Sequence, residues 1–308
     1  MSKRVAILDL GTNTFHLLIA EIETGKKPKE ILKESISAKI GEGGITQGFI
    51  SDQAFIRGVD ALKQFKSIID KTPVDSIRAA GTAALRSAKN GQHFIDRVKR
   101  ETNITIELID GEKEAELIYE GVRHAIELPA SPALIVDIGG GSVEFIICDN
   151  DKIHWKKSYP IGAAKLMALF HHTDPISEAD INTIIHFLDE QLSELKTNCE
   201  KFNPEILIGS AGSFETFAEL EVLHYHLSPE LLQQTEFSFN MSHFNSIADQ
   251  LIQTTHDERE KMQGLPEVRV DMIIVATILT RYLLKELSIE DMKLSTYSLK
   301  EGLLFTSI

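Results

Sequence analysis

Cysteine is nearly absent. The 308 residues hold two, Cys148 and Cys199, which excludes a disulfide framework and fits a reduced, cytoplasmic setting. Long apolar runs are missing too. The longest near the end, MIIVATIL at Met272–Leu279, falls far short of the ~20 residues that a membrane-spanning helix needs. The amino-terminal MSKRVAILDLGTN does not read as a signal peptide, because its apolar part is short and runs straight into a turn. Positive charge is scarce: 32 Lys and Arg stand against 46 Asp and Glu, a net charge of −14. This argues against a protein that coats nucleic acid or binds anionic membranes. An anionic substrate would need a locally basic cleft. No low-complexity segment occurs. The remaining composition is that of a globular protein, 43% hydrophobic and 25% charged, at a length that favours two domains of ~150 residues.

One stretch organises the chain. Ala133–Asp149 reads ALIVDIGGGSVEFIICD, two short apolar runs split by glycine, which predicts strand, tight turn, strand. Gly139, Gly140 and Gly141 let the backbone come close to a ligand and aim successive N–H groups at one spot. Ser142 adds a hydroxyl, and Asp137 and Glu144 flank the turn with hard oxygens suited to Mg²⁺. GGGS alone would serve a plain hairpin equally well. The pattern recurs, however. Val5–Glu21 reads VAILDLGTNTFHLLIAE, so that Asp9 falls on Asp137, Gly11 on Gly139 and Thr14 on Ser142. IRAAGTAALR at Ile77–Arg86 repeats as EILIGSAGSF at Glu205–Phe214, and Gly81 falls on Gly209 at the same offset of 128 residues. Two matched strand-turn units at one spacing predict an internal duplication: two similar α/β domains offering glycine turns to a shared cleft.

In chain order, strands are expected at Val5–Asp9, Phe15–Ile22 and Ile31–Ile40, then a glycine-rich loop at Gly41–Gly48 that lacks the spacing of a dinucleotide fingerprint. An amphipathic helix spans Ser51–Lys71. After a strand at Ser76–Ala80, a turn carries Arg86 and Lys89. Gln92–Glu101 is helical and Ile104–Ile109 a strand. Asp110 is placed to cap a helix to Glu127, whose first turn holds Glu112 and Glu114; acids there ordinarily complement the helix dipole. Pro129 and Pro132 mark a domain boundary. Past the focal hairpin come a strand at Ile153–Pro160, a helix bearing Lys165, one long helix at Glu178–Cys199, and a strand at Glu205–Gly209 followed by a helix capped by Ser213. Further on are a short strand at Phe237–Phe239 and a helix at Ser242–Thr255. A polar loop at Glu258–Asp271 carries Arg259 and Arg269, followed by a buried helix at Met272–Leu287, a strand at Lys293–Thr296 and a last helix at Ser298–Ser307 that crosses back onto the first domain. His171 and His172 have no carboxylate or cysteine at ligand spacing, so they are read as helix-end histidines.

Taken together, DLGTNTFHLLIA, AAGTAALRSAKN, IDGEKEAELIYEGV, VDIGGGSVEF, GSAGS, the ERxxMxGLPxxRxDM pattern and SLKEG resemble the exopolyphosphatase/guanosine pentaphosphate phosphatase family of the actin, Hsp70 and sugar-kinase superfamily. The resemblance covers essentially the whole length. It implies an α/β fold of duplicated ribonuclease H-like domains around an inter-domain cleft, domain I from residues 1–128 plus 298–308 and domain II from residues 129–297. It further implies Mg²⁺-dependent (or other divalent-cation-dependent) release of terminal phosphate from inorganic polyphosphate, or of the 5′-terminal phosphate of pppGpp. Neither a nucleic-acid nor a membrane partner is expected; a homodimer is one open possibility, since the sequence does not settle the oligomeric state.

By that resemblance Glu114 is the catalytic glutamate, and Arg86 neutralises charge on the transferred oxygens. Backbone N–H groups of Gly11, Thr12, Asn13 and Thr14 and of Gly139, Gly140, Gly141 and Ser142 hold the phosphoryl group. Asp9, Asp137 and Glu144 take the metal. Gly209, Ser210, Lys165, Arg259 and Arg269 are candidate contacts to the polyanion or nucleotide. Departures exist: the helical HD-type domain that many relatives carry is expected to be missing, GSAGS replaces a more glycine-rich turn, and Lys300 stands where relatives often have arginine. Two other readings stay open. One is a small-molecule kinase of the same superfamily, which would need an acceptor site and an adenosine pocket. The other is a non-catalytic switch that binds an alarmone or polyphosphate. In each case the cleft is expected to open and close around its ligand.

Overall fold

Short runs of Val, Ile, Leu and Ala with both faces buried build the centre of two mixed sheets. The computed structural model describes every residue except Met1, Thr24, Ala211 and Ile308. The first sheet contains β1 (Lys3–Leu10), β2 (Phe15–Ile22), β3 (Lys29–Ile36), β4 (Ser76–Gly81) and β5 (Ile106–Leu108) in the order β3-β2-β1-β4-β5. The second contains β6 (Ala133–Ile138), β7 (Val143–Cys148), β8 (Ile153–Tyr159), β9 (Ile206–Ser210), β10 (Glu236–Ser238) and β11 (Asp291–Ser295) in the order β10-β11-β9-β6-β7-β8. In the first, β1 pairs antiparallel with β2 and parallel with β4. In the second, β6 pairs antiparallel with β7 and parallel with β9. The order β3-β2-β1-β4-β5 is thus repeated as β8-β7-β6-β9-β11, the topological form of the offset seen in the sequence.

Among the described residues twelve α-helices cover these sheets: α1 (Asp52–Lys71), α2 (Ala83–Ser87), α3 (Gly91–Thr102), α4 (Gly111–Ala125), α5 (Ala163–Phe170), α6 (Glu178–Gln191), α7 (Ser193–Phe202), α8 (Gly212–His224), α9 (Met241–Gln253), α10 (His256–Glu260), α11 (Met272–Glu286) and α12 (Leu299–Phe305). Among the described residues no helix is long and apolar enough to cross a membrane. On the outer side of the first sheet, Phe55, Val59, Leu62 and Phe65 of α1 pack with Phe94 and Val98 of α3. The second sheet buries α11 and neighbouring helices around Phe145, Phe214 and Phe217. Between the sheets lies a third core. Val5 and Ile7 approach from β1, Ile135 from β6 and Ile146 from β7, and Leu117, Ile118 and Val122 of α4 with Leu299 and Leu303 of α12 fill the middle.

The α4–α12 crossing is backbone on backbone. A Cβ on Gly302 would lie 1.8 Å from the Leu117 carbonyl oxygen, and one on Gly121 would lie 2.1 Å from that of Ser298. Only glycine permits this approach. At the start of α4 the Asp110 carboxylate accepts the Lys113 N–H at 2.7 Å, the expected cap.

Several sequence expectations need correction. The single helix over Glu178–Cys199 is two, α6 and α7, because the chain turns at Leu192 (φ −100°, ψ 18°) and drives that side chain wholly into the core. The polar loop at Glu258–Asp271 is partly helical. Thr255 and Glu258 form a capping box that starts α10, and a 3₁₀ turn follows at Glu267–Arg269. The third strand ends at Ile36, short of Ile40, ahead of Lys39 with its positive φ of 41°. Ser213 lies inside α8 rather than capping it, and Ala211 falls outside the described residues.

The crossing sets a stability test. Gly302→Ala should lower the urea midpoint by the equivalent of about 1–3 kcal/mol or more, whereas Ile56→Ala, on a side chain 52% exposed, should shift it by less than about 0.5 kcal/mol. Equal shifts for the two variants would contradict the close approach.

Candidate active site

Each sheet ends its central strand in a turn, and the two turns meet. Gly11–Thr14 follows β1 and Gly139–Ser142 follows β6. A Cβ on Gly140 would sit 2.3 Å from Asn13 Nδ2, and one on Gly141 would sit 2.8 Å from Thr12 Oγ1. The carbonyls of Gly139 and Gly140 are engaged by the first turn of α5, through Ala163 N–H (2.8 Å) and Ala164 N–H (3.0 Å). No other backbone group among the described residues takes the amides of Thr12, Asn13, Gly140 or Gly141. These free donors make an anion cradle. They border a cavity of ≈ 150 Å³, below the ~300 Å³ at which pockets for drug-sized ligands begin. That is the scale of a phosphoryl group rather than of a whole nucleoside.

Four carboxylates line the same cavity: Asp9 from β1, Glu114 from the first turn of α4, Asp137 from β6 and Glu144 from β7. Each is tied differently. Glu114, 6% exposed, accepts Arg86 Nη1 at 2.9 Å, and the same nitrogen donates to the Ile109 carbonyl at 2.8 Å. Asp137 Oδ2 accepts both Ser210 Oγ (2.9 Å) and Ser298 Oγ (2.6 Å). Glu144 Oε1 accepts Ser158 Oγ at 2.6 Å. Burial dominates their ionisation. It pushes Asp9 up to about 7 against the pull of Lys300, and Glu144 to about 7 with the Asp137 charge adding to the effect. Glu114 is held well above the usual carboxylate range by burial and Glu144, with Arg86 opposing. Asp137 is raised by burial and partly relieved by its two serines. His16, also lining the cavity, is lowered to about 3 by burial and stays neutral.

Of the residues singled out in the sequence, Asp9, Gly11, Thr12, Asn13, Thr14, Glu114, Asp137, Gly139, Gly140, Gly141, Ser142, Glu144 and Arg269 all line this cavity. Arg86 and Lys165 line an adjoining one. Arg269 Nη1 donates to Thr216 Oγ1 at 3.0 Å and Nη2 lies 3.6 Å from Glu215. Gly209 and Ser210 sit behind the cavity wall. The Phe214 ring covers Gly209, and Ser210 is fully buried against Asp137. Arg259 does not line the cavity. It is 1% exposed, and its guanidinium is spent on the carbonyls of Val270 (2.8 Å) and Thr254 and on Asp174 (3.4 Å). Its expected polar loop is a capped, packed segment instead.

Sequence reasoning missed the part played by the start of α12. Ser298 reaches Asp137 across 161 positions. Glu301 closes a capping box on Ser298 and lies 3.2 Å from the buried Lys300. The S-x-x-E spacing of Ser298 and Glu301 was visible as a cap signal; its proximity to Asp137 was not. Across the cleft, Asn13 Nδ2 also donates to Met272 Sδ at 2.9 Å.

Two anion-cradling turns, with an ion-paired glutamate between them, match what comparison with known proteins returns. The sequence model of the Ppx/GppA phosphatase family matches residues 18–308. The chain belongs to that family. A putative exopolyphosphatase of Haemophilus influenzae is 26% identical over 99% of this chain and 91% of its own length. A guanosine-5′-triphosphate,3′-diphosphate pyrophosphatase of Aeromonas hydrophila is 26% identical over 97% of this chain and 58% of its own length. Among solved structures, an exopolyphosphatase from Cytophaga hutchinsonii is 42% identical and superimposes with a TM-score of 0.96, covering 99% of this chain and 97% of that one. The duplicated α/β fold is thus that of a Ppx/GppA phosphatase, and the chain is a hydrolase.

Buried acids destabilise this cleft. Glu144 ionises near 4.5 when unfolded and near 7 when folded, so the folded state holds the extra proton between those values. Its contribution favours folding at acid pH and is lost as pH rises through about 7. Glu144→Gln should therefore raise the thermal midpoint relative to wild type at pH 8, by the equivalent of roughly 1–3 kcal/mol, with the difference shrinking towards pH 5. A variant less stable than wild type at pH 8 would contradict the charge assignment.

Proposed function

We propose that the chain removes the terminal phosphoryl group of inorganic polyphosphate, or the 5′-terminal phosphate of pppGpp, by attack of a water that Glu114 orients and deprotonates. The observation that carries this reading is that Glu114 lines the same ≈ 150 Å³ cavity as both glycine turns. The free amides of Gly11–Thr14 and Gly139–Ser142 hold the phosphoryl oxygens. Glu114 stands beside them with a carboxylate whose proton affinity is raised by burial, a base strengthened for this task. A bond forms between the water oxygen and the terminal phosphorus. The bond from that phosphorus to the bridging oxygen breaks, and its electron pair stays on the shortened chain. Glu114 takes the water proton, while Arg86, 2.9 Å from it, keeps the carboxylate aimed and offers charge to the developing oxyanion. The family name and the relatives' names support the class of reaction.

The donor set suits a hard divalent cation. Asp137 accepts two serine hydroxyls on one oxygen and Glu144 accepts serine hydroxyls from Ser158 and Ser142, and Asp9 lines the same cavity. Among the described residues no three acidic, His or Cys side chains gather closely enough to cage a metal. Asp9, Asp137 and Glu144 would therefore hold Mg²⁺ partly through waters, the usual manner for this ion. When bound, it would neutralise phosphoryl charge.

Purified protein with Mg²⁺ should release orthophosphate from polyphosphate or pppGpp and not transfer phosphate from ATP to a small acceptor. EDTA should abolish release and added Mg²⁺ restore it. Arg86→Gln should lower kcat about a hundred- to a thousandfold. Tight binding of these ligands without any release would overturn the hydrolase reading in favour of a non-catalytic switch.

A further inference from the structure

A second cavity, ≈ 540 Å³, adjoins the first. Ala83, Gly141 and Ser142 line both and so form the wall between them. The ion pair described above crosses that wall: Glu114 lines the small cavity and Arg86 the large one. Among the described residues only Nη1 of Arg86 is used, on Glu114 and the Ile109 carbonyl. Its Nε and Nη2 have no partner among the described residues. Lys165 lines the same cavity and forms no ion pair among the described residues. The acid on this lining, Glu112, faces Lys156 at 3.6 Å.

The rest of the lining is small or aliphatic, including Ile45, Thr46, Ser87 and Pro160. Among the described residues no aromatic side chain lines this cavity, and His16 is the one ring on the small cavity's lining. A nucleobase would find no face to stack on, the contact that commonly holds a base in a protein site. Lys165, the remaining donors of the Glu114-paired Arg86 and the lining hydroxyls instead fit a short run of phosphoryl groups.

The geometry points to the larger cavity as the leaving-chain site, with Lys165 as its specificity-determining residue and an inorganic oligophosphate, rather than a guanosine nucleotide, as the substrate it selects. This rests on the hydrolase reading above and deepens it. The terminal phosphoryl group occupies the small cavity. The bridging oxygen lies at the Gly141–Ser142 wall. The next phosphoryl groups extend past Arg86 to Lys165. Since the cations on this cavity's lining end at Lys165, binding gains little from chain that extends beyond it.

Steady-state phosphate release with tripolyphosphate, tetrapolyphosphate, long polyphosphate and pppGpp separates the possibilities. Wild type should show similar kcat/KM per chain end for tetrapolyphosphate and long polyphosphate, and a lower value for pppGpp. Lys165→Met should raise KM for tripolyphosphate roughly ten- to a hundredfold with kcat within about twofold, the mark of lost uniform binding. Lys165→Arg should restore most of it. Unchanged KM in Lys165→Met, or pppGpp used at least as well as the oligophosphates, would overturn this inference while leaving the hydrolase intact. Release from none of the four would remove the hydrolase reading and the inference together.

Discussion

Everything the cleft does depends on two helices touching through glycine. Gly121 of α4 and Gly302 of α12 bring the backbones together in the middle of the third core, where both helices are packed between the two sheets. α4 starts at the cleft and presents Glu114 in its first turn. α12 starts there too and presents Ser298, whose hydroxyl reaches Asp137 on β6 of the other sheet. One crossing therefore fixes the distance between the Glu114 carboxylate carried by the first half of the chain and the Asp137 carboxylate carried by the second. Side chains at the crossing would push the helix starts apart and loosen both.

The electrostatics of the cleft run against stability. Four carboxylates share one small cavity, and burial raises the proton affinity of all four. The protein supplies little positive charge in return: Arg86 at Glu114, Arg269 at the rim, and Lys300 beneath, largely taken by Glu301. The proposed divalent cation would offset this deficit, and the amides of the two turns are the donors proposed for the phosphoryl oxygens. A ligand that supplies what the fold lacks binds the folded state alone and stabilises it by mass action.

Much of this was legible because it is local. The two glycine turns and the offset of 128 residues announced the duplication, and the repeated sheet order is its consequence. Asp110 reads as a helix cap from its own neighbours and is one. Glu114 was different: in the first turn of a helix an acid is ordinary, and only the family resemblance marked it. Contacts made across the chain were not legible. Ser298 lies 161 positions from Asp137, and no spacing rule connects them. Arg259 looked available in a polar stretch, but a capping box at Thr255 folds that stretch and buries the guanidinium against carbonyls. The turn at Leu192 was hidden for a related reason. The apolar period runs on through it, and the bend is set by where Leu192 is buried.

The central claim is that Glu114 is the base. The most direct measurement is a single-turnover assay of phosphate release by wild type and Glu114→Gln with saturating polyphosphate and Mg²⁺, alongside the binding affinity of each for the same ligand. The account predicts a loss of about a hundred- to ten-thousandfold in the chemical step with affinity nearly unchanged. Release by Glu114→Gln at close to the wild-type rate, with ligand bound equally well, would contradict it.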